Sequence, residues 1–428
     1  MADTTALVHD VAERALAQMR AIGFEHAQVG ASRRAQEEIN IAHNEAALLR
    51  STETEKLSLA GIVDGRMAST EVGRFDEAGP AIEALYASAR VAPQDDAYAV
   101  SSGQRADIVQ GPQSADVDVV AAAVEQLLAY RAQSTPRMML DESLVAHSHV
   151  TSRTLTSGGS DLRCRLGSYG ISVFGTAREG GRSSSFNFAS GSSNDLRAHP
   201  AHRHFGIGEM LHDTERQIDT VPYGSRGTGD VVLAPRAVAD LLGWLMSQLA
   251  DQALIGGSSL YRDKVGSAIA SPLLRLKSRF DAPGVAALSA DAFNAAPIEI
   301  LRDGLLMTLT PTLYGSRKTG LAHVPIAASG WEIAAGATPL ADMLAGVERG
   351  ALVGRLSMGR PAANGDFSSV VKNSFRIDGG AVGPALAETM IGGNVAQMLL
   401  GVSAVSRERI DSGGLLLPWL RIGGLHFS

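Results

Sequence analysis

The segment VPYGSRGTGD, Val221–Asp230, and the stretch VVLAPRAVADLLGWLMSQL that follows it, residues 231–249, decide how the chain divides. The first is dense in Gly and Pro, the residues that punctuate a chain between structured regions. The second begins as a strand from Asp230 to Ala234 and continues as a helix. Pro235 stands at the opening turn of that helix, where the missing N–H of proline costs nothing. Leu241, Leu242, Leu245 and Leu249 then recur at the spacing of a buried helix face, and the helix is expected to reach about Leu254. Beyond it, Gly and Pro return at roughly 8–12-residue intervals between short apolar runs, the pattern of many short strands.

Upstream of the seam, helices and strands mix. Val8, Val11, Ala15, Met19 and Ile22 recur at three- and four-residue steps, with caps offered by Asp3 to Thr5 and a stop by Gly23. Ile39 and Ile41, then Leu57, Leu59 and Val63, alternate with polar residues, and Asp64-Gly65 is a hairpin signal. A helix fits Glu77 to Arg90, a polar irregular connector fits Pro93 to Pro112, and a strong helix fits Asp116 to Gln133. Leu144 to Ala189 is strand-like, broken by Gly158-Gly159, Gly167 and Gly180-Gly181. Ser183 to Ser193 interleaves serines with Phe186 and Phe188, as a strand with a polar face does, and a polar helix fits Gly206 to Asp219. Without regular βαβ alternation the chain reads as α+β. The expected parts are an N-terminal mixed helix/strand domain, in subdomains 1–110 and 111–224, and a β-rich C-terminal domain, 225–428.

Charge follows the same division. Residues 1–224 carry a net −9 and residues 225–428 a net +2, which gives the chain its −7. No basic field exists to attract nucleic acid. A single Cys excludes an internal disulfide and a multi-cysteine metal site. The N-terminus lacks a basic, then apolar, leader, and Ala237 to Leu249 is too short to span a bilayer. A cytoplasmic protein without membrane or nucleic-acid partners is expected.

Chemistry-bearing motifs are sparse. His202-Arg203-His204, with His212 beyond, is the one dense histidine cluster; on a strand, H-x-H would project both rings to one face and could ligate zinc with His212. A solvated loop leading into a helix is the simpler reading. His147-Ser148-His149 has the same spacing. No His is followed by Glu, so zincin motifs are absent, and no G-x-S-x-G elbow occurs. Cys164 lies between Arg163 and Arg165, but on a strand these neighbours point to the other face. Gly365-Asp366-Phe367-Ser368 is read as a tight turn.

The segments VVLAPRAVADLLG (231–243), GGSSLYRDKVG (256–266), ASPLL (270–274), TGLAH (319–323), GDFS (365–368), IGGN (391–394) and PWLRIGGL (418–425) resemble the TldD/PmbA family, in its PmbA/TldE branch. DGRMAST (64–70) and residues 87–96 agree more loosely. The resemblance implies a noncatalytic subunit of a TldD–TldE type metallopeptidase that degrades or trims peptides. Its TldD-like partner would carry H-E-x-x-x-H and zinc. Here the motif histidines would fall at Gly243 and Gln248 and the glutamate at Trp244, and no cysteine stands near the C-terminus. The resemblance thus implies no zinc in this chain and, by itself, no catalysis. Gly365, Asp366, Phe367 and Ser368 become the substrate-contact candidates. An independent metal hydrolase using His202, His204 and His212, or a non-enzymatic homodimer, are the alternatives.

Overall fold

The computed structural model describes residues 2–224, 226–357 and 359–428. Among these, two sheets organise the chain, and no strand belongs to both. The first opens with α1 (Ala2–Ile22), β1 (His26–Ala42), β2 (Glu45–Val63), β3 (Arg66–Val72) and α2 (Ala78–Val91). It continues with β4 (Arg105–Gln110), α3 (Val117–Ser134), β5 (Met138–Leu140), β6 (Ser143–Thr156) and β7 (Asp161–Glu179). β8 (Arg182–Ser183), β9 (Asn187–Ser193) and α4 (Ile207–Arg216) complete it. Strand order is β3-β2-β1-β6-β7-β4, with β5, β8 and β9 also on β7.

Local sequence explains most of these elements. α1 buries Val8, Val11, Ala12, Ala15, Leu16 and Met19 along one stripe, against Val29 and Ala31 of β1 and Leu57 and Leu59 of β2. Asp64 and Gly65 take φ of +49° and +65°, so β2 and β3 meet in the mirror-image turn that matches strand twist. Asp116 caps α3 by accepting from the backbone N–H of Asp118 and Val119. Arg153 fastens α1 to the sheet: its nearly buried guanidinium donates to Asp161 at 2.9 and 3.0 Å and to Glu13 at 2.6 Å.

Three expectations change here. A boundary at residue 110 does not divide the sheet, because β1 and β6 pair continuously from Gln28–Thr156 to Ile41–Ser143. The connector from Pro93 to Pro112 contains a strand, β4, held parallel to β7. Gly167 does not interrupt β7; it is glycine because the Pro112 carbonyl oxygen would lie 1.7 Å from an added Cβ.

The second sheet starts with β10 (Thr220–Val221) and β11 (Gly227–Leu233). β11 runs parallel to Arg349–Val353 on one side and antiparallel to the long strand Leu415–Phe427 on the other. Around them, among the described residues, are strands of two to ten residues such as Leu276–Ser278 and Trp331–Ile333. α5 (Pro235–Leu249) lies across this sheet and buries Val238, Leu241, Leu242, Leu245 and Leu249 in its core. The two units are clasped together. The Tyr314 hydroxyl and Lys318 Nζ each donate to Asp95 at 2.9 Å, and Tyr314 stacks on Tyr98. Gln217 Nε2 donates to the Ser374 carbonyl, and the Arg216 guanidinium covers the Phe375 ring.

Candidate functional site

α5 carries one buried face and one open face. Pro235 sits at its first turn after extended Ala234, and no side chain caps it. Its apolar stripe is sealed against the sheet, whereas Arg236, Ala239 and Gly243 line cavities. Trp244 and Gln248 stand one turn apart on the flank, the spacing that puts two side chains side by side. Trp244 Nε1 donates to the Ala362 carbonyl at 3.2 Å, and Gln248 Nε2 to the Ala363 carbonyl at 3.2 Å. Gln248 Oε1 also accepts from Leu260 N–H at 3.0 Å. Both side chains are buried.

These two residues therefore latch the 362–365 turn, whose last residue, Gly365, is the first of the group 365–368 selected from the sequence. The turn closes at Gly365, whose N–H donates to the Ala362 carbonyl, so it spans 362–365, three residues earlier than the 365–368 turn expected from the sequence. Gly365 has φ +91°, and an added Cβ would lie 3.2 Å from the Trp244 ring. Asp366, Phe367 and Ser368 belong to the strand Asp366–Lys372, paired with Met390–Asn394. The Asp366 carboxylate accepts from Asn364 Nδ2 at 2.7 Å and Asn394 Nδ2 at 2.8 Å, and these amides hold its pKa below the ordinary aspartate value. Asn394 also caps the helix Val395–Leu400. Phe367 packs on the second core, and Ser368 is exposed.

The donors at 243, 244 and 248 do not fit zinc. Gly243 offers no side chain, Trp244 offers only an N–H that is already spent, and a carboxamide is a poor ligand. Gly243 itself is open, since an added Cβ would meet nothing within 4 Å.

The histidines are brought near one another but not into a ligand set. His202 and His204 lie on a 3₁₀ turn, Ala201–Gly206, rather than a strand, so their rings diverge. His202 stacks on Tyr130 with centroids 3.9 Å apart, and His212 meets the edge of the same ring. His204 is buried, with Nε2 at 3.1 Å from the His199 carbonyl. Among the described residues, no three His, Cys, Asp or Glu side chains are grouped to hold a metal ion. His147 and His149 share a face of β6, where His147 Nε2 lies 2.8 Å from the Pro112 carbonyl and His149 Nε2 lies 3.2 Å from Gln113 Oε1. Cys164 is buried in β7, and that burial pushes its thiol up to about 11, the opposite of an activated nucleophile.

What the sequence did not reveal is a string of three cavities, two between the two units and one within the second. A groove of about 720 Å³ near His199 and Arg203 shares Phe205, Gly206, Glu209, Ile410 and Trp419 with a cavity of about 310 Å³. That cavity shares Ala239 and Leu415 with a third, of about 420 Å³, which ends at Gly243 and Met246. The open face of α5 thus walls the second and third cavities of the string. Its volumes suit an extended, partly apolar ligand. Asp213, in the wall of the middle cavity, has its carboxyl pushed up to about 6 by burial. No helix among the described residues is long and apolar enough to cross a membrane.

Comparison with known proteins gives this geometry a context. The chain resembles the crystal structure of a candidate modulator of DNA gyrase from Bacteroides thetaiotaomicron, at TM-score 0.85 and 21% identity, over 98% of each chain. It resembles TldE from Thermococcus kodakarensis at TM-score 0.80 and 18% identity, over 98% of this chain and 100% of that one. A candidate modulator of a DNA gyrase from Thermotoga maritima follows at 0.76 and 14%, with the same coverage. At these identities the likeness establishes the fold. No curated protein matches the chain in sequence. Residues 226–428 match the PmbA/TldA metallopeptidase C-terminal domain, so that this part of the chain carries a domain of the PmbA/TldD family.

Proposed function

We propose that this chain is a noncatalytic, TldE-like subunit of a two-component metallopeptidase of the TldD–TldE type. Its partner is a TldD-like subunit bearing H-E-x-x-x-H and the zinc, and its own part is to hold an extended peptide along the cavity string. Peptides of this kind bind most readily by adding to strand edges beside pockets for alternate side chains. The observation that supports this reading best is the use made of Trp244 and Gln248. On the helix where the family resemblance sets a catalytic motif, both side chains serve to pin a turn. The single cysteine, buried and poorly ionised, suits work in the cytoplasm.

The test is co-expression with a family member that carries H-E-x-x-x-H. The expected result is a stable mixed complex whose zinc resides in the partner and whose peptidase activity falls when this chain is withheld. Stoichiometric zinc in the isolated chain, lost on His204→Ala, would overturn the proposal. So would a partner whose activity is the same with and without this chain.

A further inference from the structure

Two guanidinium groups, Arg236 in the wall of the middle cavity and Arg355 next to its wall residue Gly354, have no ion-pair partner among the described residues. Arg236 lies over the Phe188 ring, its Cζ 3.0 Å from the centroid, and donates through Nη1 to the Phe188 carbonyl at 2.9 Å. Arg355 lies over Phe186 at 4.6 Å and reaches toward Phe188 at 5.9 Å, with Nε only 3.5 Å from Asn373 Oδ1. Both are half-buried, and neither forms an ion pair among the described residues. Asp240 stands one turn along α5 from Arg236, exposed and beyond ion-pair reach, while Glu209 and Asp213 face the cavity from α4.

This arrangement costs stability. Like charges are gathered in a partly dry place, and Arg236 occupies a first helical turn, where the dipole disfavours a cation. Burial first, and the Arg355 cation next, pull the Arg236 pKa down to about 10. The aromatic rings and the bonds to the Phe188 carbonyl and Asn373 restrain both side chains and leave other N–H groups of each guanidinium to donate. A carboxylate matches a guanidinium fork in shape and in charge. The nearby Asp240, Glu209 and Asp213 leave little net positive charge, which favours a monoanion over a phosphate dianion. Leu352, Ile410, Leu415, Leu417 and Trp419 give the adjoining cavity of about 310 Å³ an apolar lining.

We propose that Arg236 and Arg355 bind the C-terminal carboxylate of a peptide, whose last side chain enters the apolar cavity beside them. This rests on the reading of the chain as a peptide-holding subunit and assigns it one end of the peptide. The test uses the full-length chain and an N-terminally fluorescein-labelled pentapeptide ending in leucine, as free acid and as amide, read by anisotropy. The free acid should bind roughly tenfold more tightly, the worth of a charge-assisted hydrogen-bond pair. Arg236→Gln with Arg355→Gln should bring the acid down to the amide's affinity without changing the amide. Arg236→Lys, which keeps charge and stem but loses the fork, should retain part of the preference. Equal binding of acid and amide, or a preference that survives in the double variant, overturns the assignment and leaves the peptide-holding reading in place. A preference for an amidated peptide with an internal glutamate also overturns it. Failure of every peptide to bind overturns both.

Discussion

In the first sheet, β1 and β2 stay in register from His26–Ile62 to Ala42–Glu45 with a single irregularity. In the second, Trp331–Ile333 contributes three residues, paired with Leu276–Ser278 on one side and with Leu415–Leu416 on the other. The first sheet gains its stability from long local pairing, and each hairpin positions the next strand. The second gains it from a helix, α5, and a core that gathers short strands from distant parts of the chain. The α5 wall of the site lies on the second kind of structure, and β9 and α4 of the first unit close the middle cavity from the other side. A ligand wall built that way can be changed by loops without disturbing its neighbours, whereas the first sheet would slip register.

The largest blow to the second unit should be Trp244→Ala. It empties a buried indole position and frees the 362–365 turn, at a cost of about 3–5 kcal/mol in urea unfolding. Trp244→Phe keeps most of the ring and should lose only the hydrogen bond, about 1 kcal/mol. An equal loss in both variants would mean that the latch to Ala362 matters more than packing.

The matching blow to the first unit is Arg153→Met, expected to cost about 1–3 kcal/mol because it removes the bonds to Glu13 and Asp161 and leaves the Asp161 carboxylate on Arg163 alone. Burial opposes the Asp161 charge, but Arg153 and Arg163 outweigh it and hold the carboxyl well below its usual range. Its contribution is therefore present above the unfolded aspartate pKa and fades as pH falls below it. The variant should make that acid limb of the stability profile shallower, with the part due to Arg163 retained.

Asp213, between the two units, has the opposite sign. Its folded pKa near 6 exceeds the ordinary 3.8, so the folded state binds the extra proton and stability falls as pH rises from about 4 to 6. Asp213→Asn should raise Tm at pH 7 and leave it unchanged at pH 4; a rise at both would remove burial of charge as the cause. The smallest effect is expected at Gly243→Ala, an exposed helical glycine with free space around it. A gain of about 0.5–1 kcal/mol should result, and a loss would show that the position is constrained by something other than α5.

The same contrast marks what could be read from residues alone. α1, the Asp64-Gly65 turn, α3 with its Asp116 cap and the Pro235 helix start depend on neighbours a few residues away, and each is visible in the pattern. β4 is not visible, because its partner strand lies more than fifty residues later and its side chains sit in a polar stretch. The family resemblance led to Gly243, Trp244 and Gln248, but nothing local indicated that the latter two hold a turn 118 and 115 residues away. His202 and His204 follow the simpler of their two readings, a turn leading into a helix. Their spacing was right for a strand, but Tyr130 and the 3₁₀ turn claimed them for packing.

The clasp of Tyr314 and Lys318 on Asp95 has a consequence for the nascent protein. Its two ends are 219 and 223 residues apart in the chain. At roughly 5–20 residues per second of synthesis, Asp95 emerges on the order of 10–40 s before its partners exist. The first sheet must fold and wait on the ribosome with the surface that will later receive the second unit still bare. Its long hairpins, complete within the first 193 residues, are what make that wait possible.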